Sequence, residues 1–531
     1  MRIAALDLGS NSFHLIVAEV APDQSFVPLV REKEMLRLGS VVIREGRITA
    51  EAADRAVRTA RRMRLLAEAA GATELVAAAT SALRAAPNGP AVLERIEAEA
   101  GVTAQVIDGL EEARLIFGAV RAAVVLDPGP ALCLDVGGGS VELMVGDAAG
   151  LRWAASERLG VARLATLVHD DPPSKADRRR LRDRVRAGLA PHVPTVEALG
   201  PKMTVGSSGT LETLALMATL RAGRPRPRSL NQLTVPAAAL AELAEELVRS
   251  DAEARRRMDG LDERRVDLIV PGAVLLDTAL ALFGADELVI SEWALREGLL
   301  LEAIGRHDPA DWSEDPRAIR RASVVALARR CSWPEAHSRH VAGLAVSLFD
   351  QTAGLHGLGE TDRELLEAAA LLHDIGEHID HEDHDRHAAY LVGHGRLRGF
   401  TPEEVRVLAG VVRWHRRGEP KADDPLVGPL EGPARERVRR LAALLRVADG
   451  LDRGRRQVVT GLRARVDPSL VLVRVSAAGD PELELWGARR KRDLFERVFA
   501  RELEVTCHPA ARFAPAPAGV ARDEPRPAGA T

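Results

Sequence analysis

Apolar residues in this chain fall into short runs that alternate with longer amphipathic stretches, and the order of the two kinds repeats. Ile3 to Leu6 and Phe13 to Val17 are apolar runs joined by a polar, glycine-containing turn, which predicts a β-hairpin. A third strand is expected near Phe26 to Val30. Then come a helix from Ala50 to Ala70, a strand at Leu75 to Ala79, a helix at Ala91 to Ala100, a strand at Thr103 to Ile107 and a helix from Leu110 to Val125. Roughly 130 residues after the first hairpin the plan restarts. Ala131 to Leu134 turns into Val141 to Val145, with a third strand at Leu151 to Arg158, an arginine-rich helix from Lys175 to Leu189, a strand at Met203 to Val205 and helices to about Ile304. Such alternation implies an α/β fold with a mixed sheet and helices on its faces. The internal repeat predicts two similar lobes with a cleft between them.

After Asp308-Pro309 and Asp315-Pro316 the pattern is helical to about Asp449, and Leu462 to Val466, Leu470 to Val475 and Leu483 to Trp486 read as short closing strands. The organisation expected is therefore lobe I at 1–125, lobe II at 126–305, a helical unit with a small α+β end at 310–505, and a tail at 506–531. Pro, Ala and Gly dominate that tail and it has no apolar period, so it is expected to be disordered.

Composition narrows the function classes. Apolar residues make up 46% and charged residues 28%, as in a globular protein. One tyrosine and six tryptophans are too few to suggest a base-stacking platform, and a formal net charge of −4 gives no global field to recruit a polyanion. Nucleic acid is therefore not expected as a partner. Of 73 basic residues only five are lysines, and so strong a bias weakens any single arginine cluster as a signal. Cys133, Cys331 and Cys507 form no CxxC pair, which suits a reducing cytoplasm and argues against disulfides or a cysteine zinc site. Asp7 interrupts the first apolar stretch and Pro271 and Asp277 interrupt the longest one, so neither a signal peptide nor a membrane span is expected.

The chemistry lies first in the two hairpin turns. Asp7-Leu-Gly-Ser-Asn-Ser12 and Asp135-Val-Gly-Gly-Gly-Ser140 each put one carboxylate and several small donor residues at a hairpin tip. Facing one another, Ser10, Asn11 and Ser12 on one side and Gly137, Gly138, Gly139 and Ser140 on the other could hold phosphoryl oxygens, while Asp7, Asp135 and Glu142 supply carboxylates to Mg²⁺. Taken singly, either turn reads equally well as an ordinary hairpin. Glu111 and Glu112 both read as helix-starting acids favoured by the dipole. Gly206-Ser207-Ser208-Gly209-Thr210 also reads as a plain strand-to-helix turn.

The paired turns resemble those of the acetate and sugar kinase, heat-shock 70 and actin superfamily. Within it, five ordered motifs resemble the exopolyphosphatase and guanosine pentaphosphate phosphatase family: Asp7 to His14, Glu111 to Ile116, Asp135 to Glu142, Gly206 to Thr210, and Arg296 to Leu299. The resemblance implies two actin-like, ribonuclease H-like lobes. It implies that Glu112 is the base activating water and that Arg84 binds the phosphate chain. It also implies that Gly206, Ser207, Ser208 and Gly209 face a nucleotide or the far end of a phosphate chain. The expected activity is Mg²⁺-dependent hydrolysis of terminal phosphate from inorganic polyphosphate. The alternative is removal of the 5′ γ-phosphate of guanosine pentaphosphate. A cytoplasmic homodimer is the expected form.

Ten of the fifteen histidines fall between His337 and His415. The order His337, His373-Asp374, His387, His415 and Asp449 resembles the HD phosphohydrolase superfamily, which implies a divalent metal on His337, His373, Asp374 and Asp449. Imidazole with carboxylate suits Mn²⁺, Fe²⁺ or Zn²⁺ better than Mg²⁺. His378, His381, His384 and His394 are expected on loops or helix surfaces and not as ligands. A third reading makes this unit the nucleotide phosphohydrolase, with the two lobes only sensing ligand.

Overall fold

A computed structural model describes residues 1–21, 26–307, 315, 317–421 and 424–507. Two mixed sheets that share the order third-second-first-fourth strand form the first part of the chain. The first contains β1 (Arg2–Leu8), β2 (Ser12–Val20), β3 (Phe26–Met35), β4 (Glu74–Ala79) and β5 (Gln105–Val106), in the order β3-β2-β1-β4-β5. The second contains β6 (Ala131–Val136), β7 (Val141–Gly146), β8 (Leu151–Glu157), β9 (Met203–Ser207), β10 (Thr234–Pro236) and β11 (Glu287–Ile290), in the order β10-β11-β9-β6-β7-β8. In each, the first strand pairs antiparallel with the second and parallel with the fourth, so β1 and β6 are central. The repeat read from the sequence is a repeat of topology.

Burial explains why the central strands are apolar on both faces. Ala4, Leu6 and Leu8 of β1 face a core closed by the helix Ala50–Ala69, while Ile3 and Ala5 face a second core shared by both sheets. That shared core is filled by Ile116, Phe117 and Val120 of the helix Gly109–Ala123 and by Leu299 and Leu300 of the helix Leu295–His307. The helix that begins with Glu111-Glu112 is thus held between the two lobes.

The helical part has its own core and ends in a three-stranded sheet of β12 (Val459–Val466), β13 (Leu470–Ala477) and β14 (Glu502–Cys507). Its long helices include Ala318–Arg330, Glu335–Gln351, Glu360–Leu372, Pro402–Arg413 and Gly432–Gly450. Hydrogen bonds to backbone carbonyls fasten it to the lobes: Arg398 Nη1 donates to Ala122 O at 3.1 Å and Gly399 N to Ala123 O at 3.2 Å. The Arg398 guanidinium lies 5.0 Å from the Trp293 ring centroid.

Three local expectations change. Leu483–Trp486 is part of a helix, Glu482–Arg490, whose Leu485 and Ala488 join the core at helical spacing; the third strand is β14. Residues 506 and 507, expected in the tail, complete β14. A helix at Leu38–Glu45 follows β3, where no element was expected. The dipeptide Asp308-Pro309 and the tail from 508 to 531 lie outside the described residues.

Close packing of the two inner helices gives a test. A Cβ on Gly298 would lie 2.2 Å from the carbonyl oxygen of Leu115, a backbone atom that cannot move alone. Gly298→Ala is expected to displace the helix carrying Glu112 and to cost about 1–3 kcal/mol, read by urea unfolding. An unchanged midpoint would contradict this packing.

Candidate active site

The two glycine turns face one another across a cleft of about 300 Å³. Glycine is required here for close approach. A Cβ on Gly139 would stand 2.3 Å from Ser81 Oγ and 3.0 Å from Ser10 Oγ, and one on Gly138 would be 3.0 Å from Asn11 Cβ. The tips of the two hairpins are therefore in contact, and Asp7, Ser10, Asn11 and Ser12 line the same cavity as Asp135 and Gly137 to Ser140.

The adjacent glutamates separate cleanly. Asp108 caps their helix, its Oδ1 accepting from the backbone of Leu110 and Glu111 at 3.0 and 2.8 Å. Glu111 turns outward and pairs with Arg114. Glu112, 8% exposed, points into the cleft. Arg84 Nη1 donates to Glu112 Oε2 at 3.3 Å and to Ile107 O at 2.5 Å, so its guanidinium lies behind the carboxylate and outside the cavity lining.

Burial sets the electrostatics. Desolvation raises Glu112 to about 7; the Arg84 charge opposes this and Asp135 adds to it. Asp135 is pushed up to about 6 by burial, against the hydrogen bond that Ser207 Oγ donates at 2.6 Å. Asp7 is raised well above the usual carboxylate range, first by burial and then by the charge of Glu112. Six acids line the cavity (Asp7, Glu112, Asp135, Glu212, Glu292, Glu297) against three permanent or near-permanent cations, Lys33, Arg265 and Arg296. An anion entering such a cavity needs additional positive charge.

A divalent cation fits that need. Asp7 Oδ1, Ser10 Oγ, Asn11 Oδ1 and Ser208 Oγ are all buried without a hydrogen-bond partner, and all four belong to cleft-lining residues. Polar atoms left unsatisfied in this way are costly, and here they share one cavity. Hard carboxylate and hydroxyl oxygens match Mg²⁺ chemistry.

Other sequence candidates take supporting positions. Glu142, paired with Asp135 across β6 and β7, is 1% exposed, accepts from Ser156 Oγ at 2.8 Å and does not line the cavity. Gly206 and Ser207 lie in β9 behind it, while Ser208, Gly209 and Thr210 reach the cleft. Residues not singled out as site residues from the sequence complete the wall: His14, Lys33, Glu212, Arg265, Glu292, Arg296 and Glu297. Arg265 is held over the helix start at Gly209, where a Cβ would meet its Nη2 at 2.2 Å. Arg265 stands in an Arg264-Arg265 doublet that the arginine bias makes inconspicuous, whereas Arg296 opens the motif Arg296 to Leu299.

In the helical part, the histidine run produces a second cluster. His337, His373, Asp374 and Asp449 come together as expected, and His415 and His384 join them. His384, expected on the surface, is 7% exposed with Nε2 3.4 Å from Asp374 Oδ1. His387 is half-buried and outside the cluster. The two histidines are three residues apart on one helix, and it is His384 whose backbone packs on Gly376, where a Cβ would meet its carbonyl oxygen at 2.0 Å.

Comparison with known proteins agrees with this arrangement. Residues 16–307 match the Ppx/GppA phosphatase family and residues 319–469 match Ppx/GppA phosphatase, domain III. Exopolyphosphatase 1 of Mycobacterium leprae is 36% identical over 326 residues, 61% of this chain and 94% of that protein. Exopolyphosphatase 1 of Mycobacterium tuberculosis is 34% identical over 344 residues, 64% of this chain and 98% of that protein. The crystal structure of an exopolyphosphatase from Cytophaga hutchinsonii superposes with a TM-score of 0.55 at 31% identity, covering 58% of this chain and 98% of that one. An Aquifex aeolicus family member gives 0.50 at 25% identity, covering 58% and 99%. With facing glycine turns, an inward glutamate between two matched lobes and a profile match over more than half its length, the chain belongs to the Ppx/GppA phosphatase family.

Proposed function

We propose that the chain is an exopolyphosphatase that hydrolyses the terminal phosphate of inorganic polyphosphate in the cleft, with Mg²⁺ held by Asp7 and Asp135. The observation that carries this reading is the set of orphaned polar atoms of Asp7, Ser10, Asn11 and Ser208, which line the same cleft as one buried glutamate. The name shared by the curated relatives supports the substrate class.

The terminal phosphoryl group lies between the two glycine turns, with Ser10, Asn11, Ser12 and Ser140 donating to its oxygens. Arg265 and Lys33 take the chain beyond it. Glu112 holds the attacking water and accepts its proton as the oxygen bonds to phosphorus. The anhydride oxygen leaves with the bonding electrons to the shortened chain. The divalent cation supplies charge neutralisation on the phosphoryl and leaving oxygens. Arg84 acts on Glu112, keeping its carboxylate ionised and fixed, and Ser207 does the same for Asp135. The buried Glu142 supports β6 and β7 rather than binding metal directly. In the helical unit we also propose a divalent transition metal on His337, His373, Asp374 and Asp449.

Glu112→Gln is expected to lower phosphate release from long-chain polyphosphate by about 10²–10⁴-fold while leaving the thermal midpoint nearly unchanged. Full activity on polyphosphate would remove Glu112 as the base.

Only the ionised base accepts a proton, so kcat/KM is expected to fall as pH drops through a limb at or below about 7, the position burial gives Glu112. Arg84→Met removes the opposing charge and is expected to move that limb to higher pH; a limb that does not move would place Arg84 outside this role.

Arg265→Met is expected to raise KM for polyphosphate at least tenfold with a smaller change in kcat. A loss confined to kcat would put Arg265 at the reacting phosphorus instead.

A further inference from the structure

Of the three cations that line the cleft, only Arg296 is ion-paired among the described residues, and its partner is the next residue in the chain. Arg296 Nε and Nη2 both donate to Glu297 Oε1, at 3.0 and 2.6 Å. Glu297 is itself fixed. It is 1% exposed, and its other oxygen, Oε2, accepts from the backbone of Ala294 at 3.2 Å across the start of the helix Leu295–His307. A guanidinium is planar, so anchoring the Nε–Nη2 edge sets the direction of the end-on edge formed by Nη1 and Nη2. Among the described residues nothing bonds Nη1. Arg296 lines the cavity, so this free edge is what it offers to a ligand there.

Pairing does not cancel the charge. Arg31, arriving on β3, puts its Nη1 3.8 Å from the same Glu297 Oε1, so two guanidiniums share one carboxylate and the triad keeps one net positive charge. Arg31 is outside the cavity lining, which leaves Arg296 as the member that can touch substrate. Burial disfavours the Arg296 charge, but Glu297, then Glu212 and Asp7, outweigh it, so the guanidinium is held charged. Asp7 lies on β1 of the first lobe and Glu212 on the helix Gly209–Arg221 of the second. The charge therefore acts on both walls of the cleft.

The other two cations are held differently. Arg265 bonds Thr210 Oγ1 at 3.4 Å, and Lys33 has no hydrogen bond or ion pair among the described residues. Loosely held cations can follow a phosphate chain as it moves; a guanidinium anchored on one edge can serve only one position. Stability gives no reason for that anchoring, since replacing a buried ion triad by apolar side chains is often neutral or favourable.

We propose that Arg296 is a catalytic residue, donating from Nη1 and Nη2 to a non-bridging oxygen of the terminal phosphoryl group, and that Glu297 is the positioning residue that aims it. This rests on the reading of the cleft as a polyphosphate hydrolase. Arg296 forms and breaks no covalent bond. As the water oxygen bonds to phosphorus, its proton passes to Glu112 and the anhydride oxygen leaves with the bonding electrons. Charge on the phosphoryl oxygens then meets a donor already in place.

Steady-state kinetics with long-chain polyphosphate test both roles in the full chain. Arg296→Ala is expected to lower kcat at least 100-fold with KM changed less than about threefold, the reverse of the split expected for Arg265→Met. Guanidinium chloride, added well below the denaturing range, is expected to raise the kcat of Arg296→Ala at least tenfold relative to the unsubstituted chain in the same salt. A loss carried by KM, or a kcat that guanidinium leaves unchanged, overturns the catalytic role. Glu297→Gln keeps the shape and removes the charge. It is expected to lower kcat about tenfold at unchanged KM and, combined with Arg296→Ala, to raise the guanidinium concentration for half-rescue at least tenfold. Glu297→Asp, which keeps the charge and shortens its reach, is the second variant for both measurements, with the same expected changes, should Glu297→Gln not fold. Equal half-rescue concentrations with and without Glu297 overturn the positioning role. Release by the unsubstituted chain that is undiminished in Arg296→Ala overturns this assignment and leaves the cleft reading in place, whereas no release by the unsubstituted chain overturns both.

Discussion

Asp7, Asp135 and Glu112 arrive on three different elements and meet in one cleft, an arrangement that costs several kcal/mol for each buried charge left without a partner. The rest of the cleft is organised around that cost. Ser207 bonds Asp135 and Arg84 bonds Glu112, but Asp7 Oδ1 has no partner at all. Burial accordingly lifts all three toward neutrality, which primes the site for cations and for a base poised near neutral pH. The same crowding that destabilises the empty cleft gives a phosphate chain and its cation their binding energy.

Geometry of this quality needs rigid support. Two central strands, each apolar on both faces, fix the hairpin turns, and the helix that carries Glu112 is clamped between the sheets by Ile116, Phe117 and Val120. Glycines at 138 and 139 let the turns approach to contact distance, where any Cβ would strike the opposite loop or Ser81. Catalytic groups are thereby carried on strands and a packed helix, and their separation is set by the core.

Much of this could be read in the sequence because hairpins and helices leave periodic traces. The doubled strand plan and the facing turns followed from local pattern, and the choice of Glu112 over Glu111 from the family resemblance. What stayed hidden depends on tertiary packing. Glu142 lies two residues past a glycine turn and opposite Asp135, yet it is buried against Ser156 and does not line the cavity. Arg265 is one of many arginines, and only its place above Gly209 distinguishes it. His384 and His387 share a short helix, and only His384 is buried beside Asp374. Leu483–Trp486 has a strand-like composition, but Leu485 and Ala488 face one core at helical spacing.

The central claim is that the Asp7 and Asp135 carboxylates exist to hold a divalent cation against a phosphoanhydride. The most direct measurement is the Mg²⁺ dependence of phosphate release from polyphosphate by the full chain and by Asp7→Asn. The account predicts saturable activation by Mg²⁺ in the unsubstituted protein and, in Asp7→Asn, at least a tenfold higher half-activating concentration with retained folding. Activity in the presence of excess chelator, or identical Mg²⁺ curves for the two proteins, would contradict it.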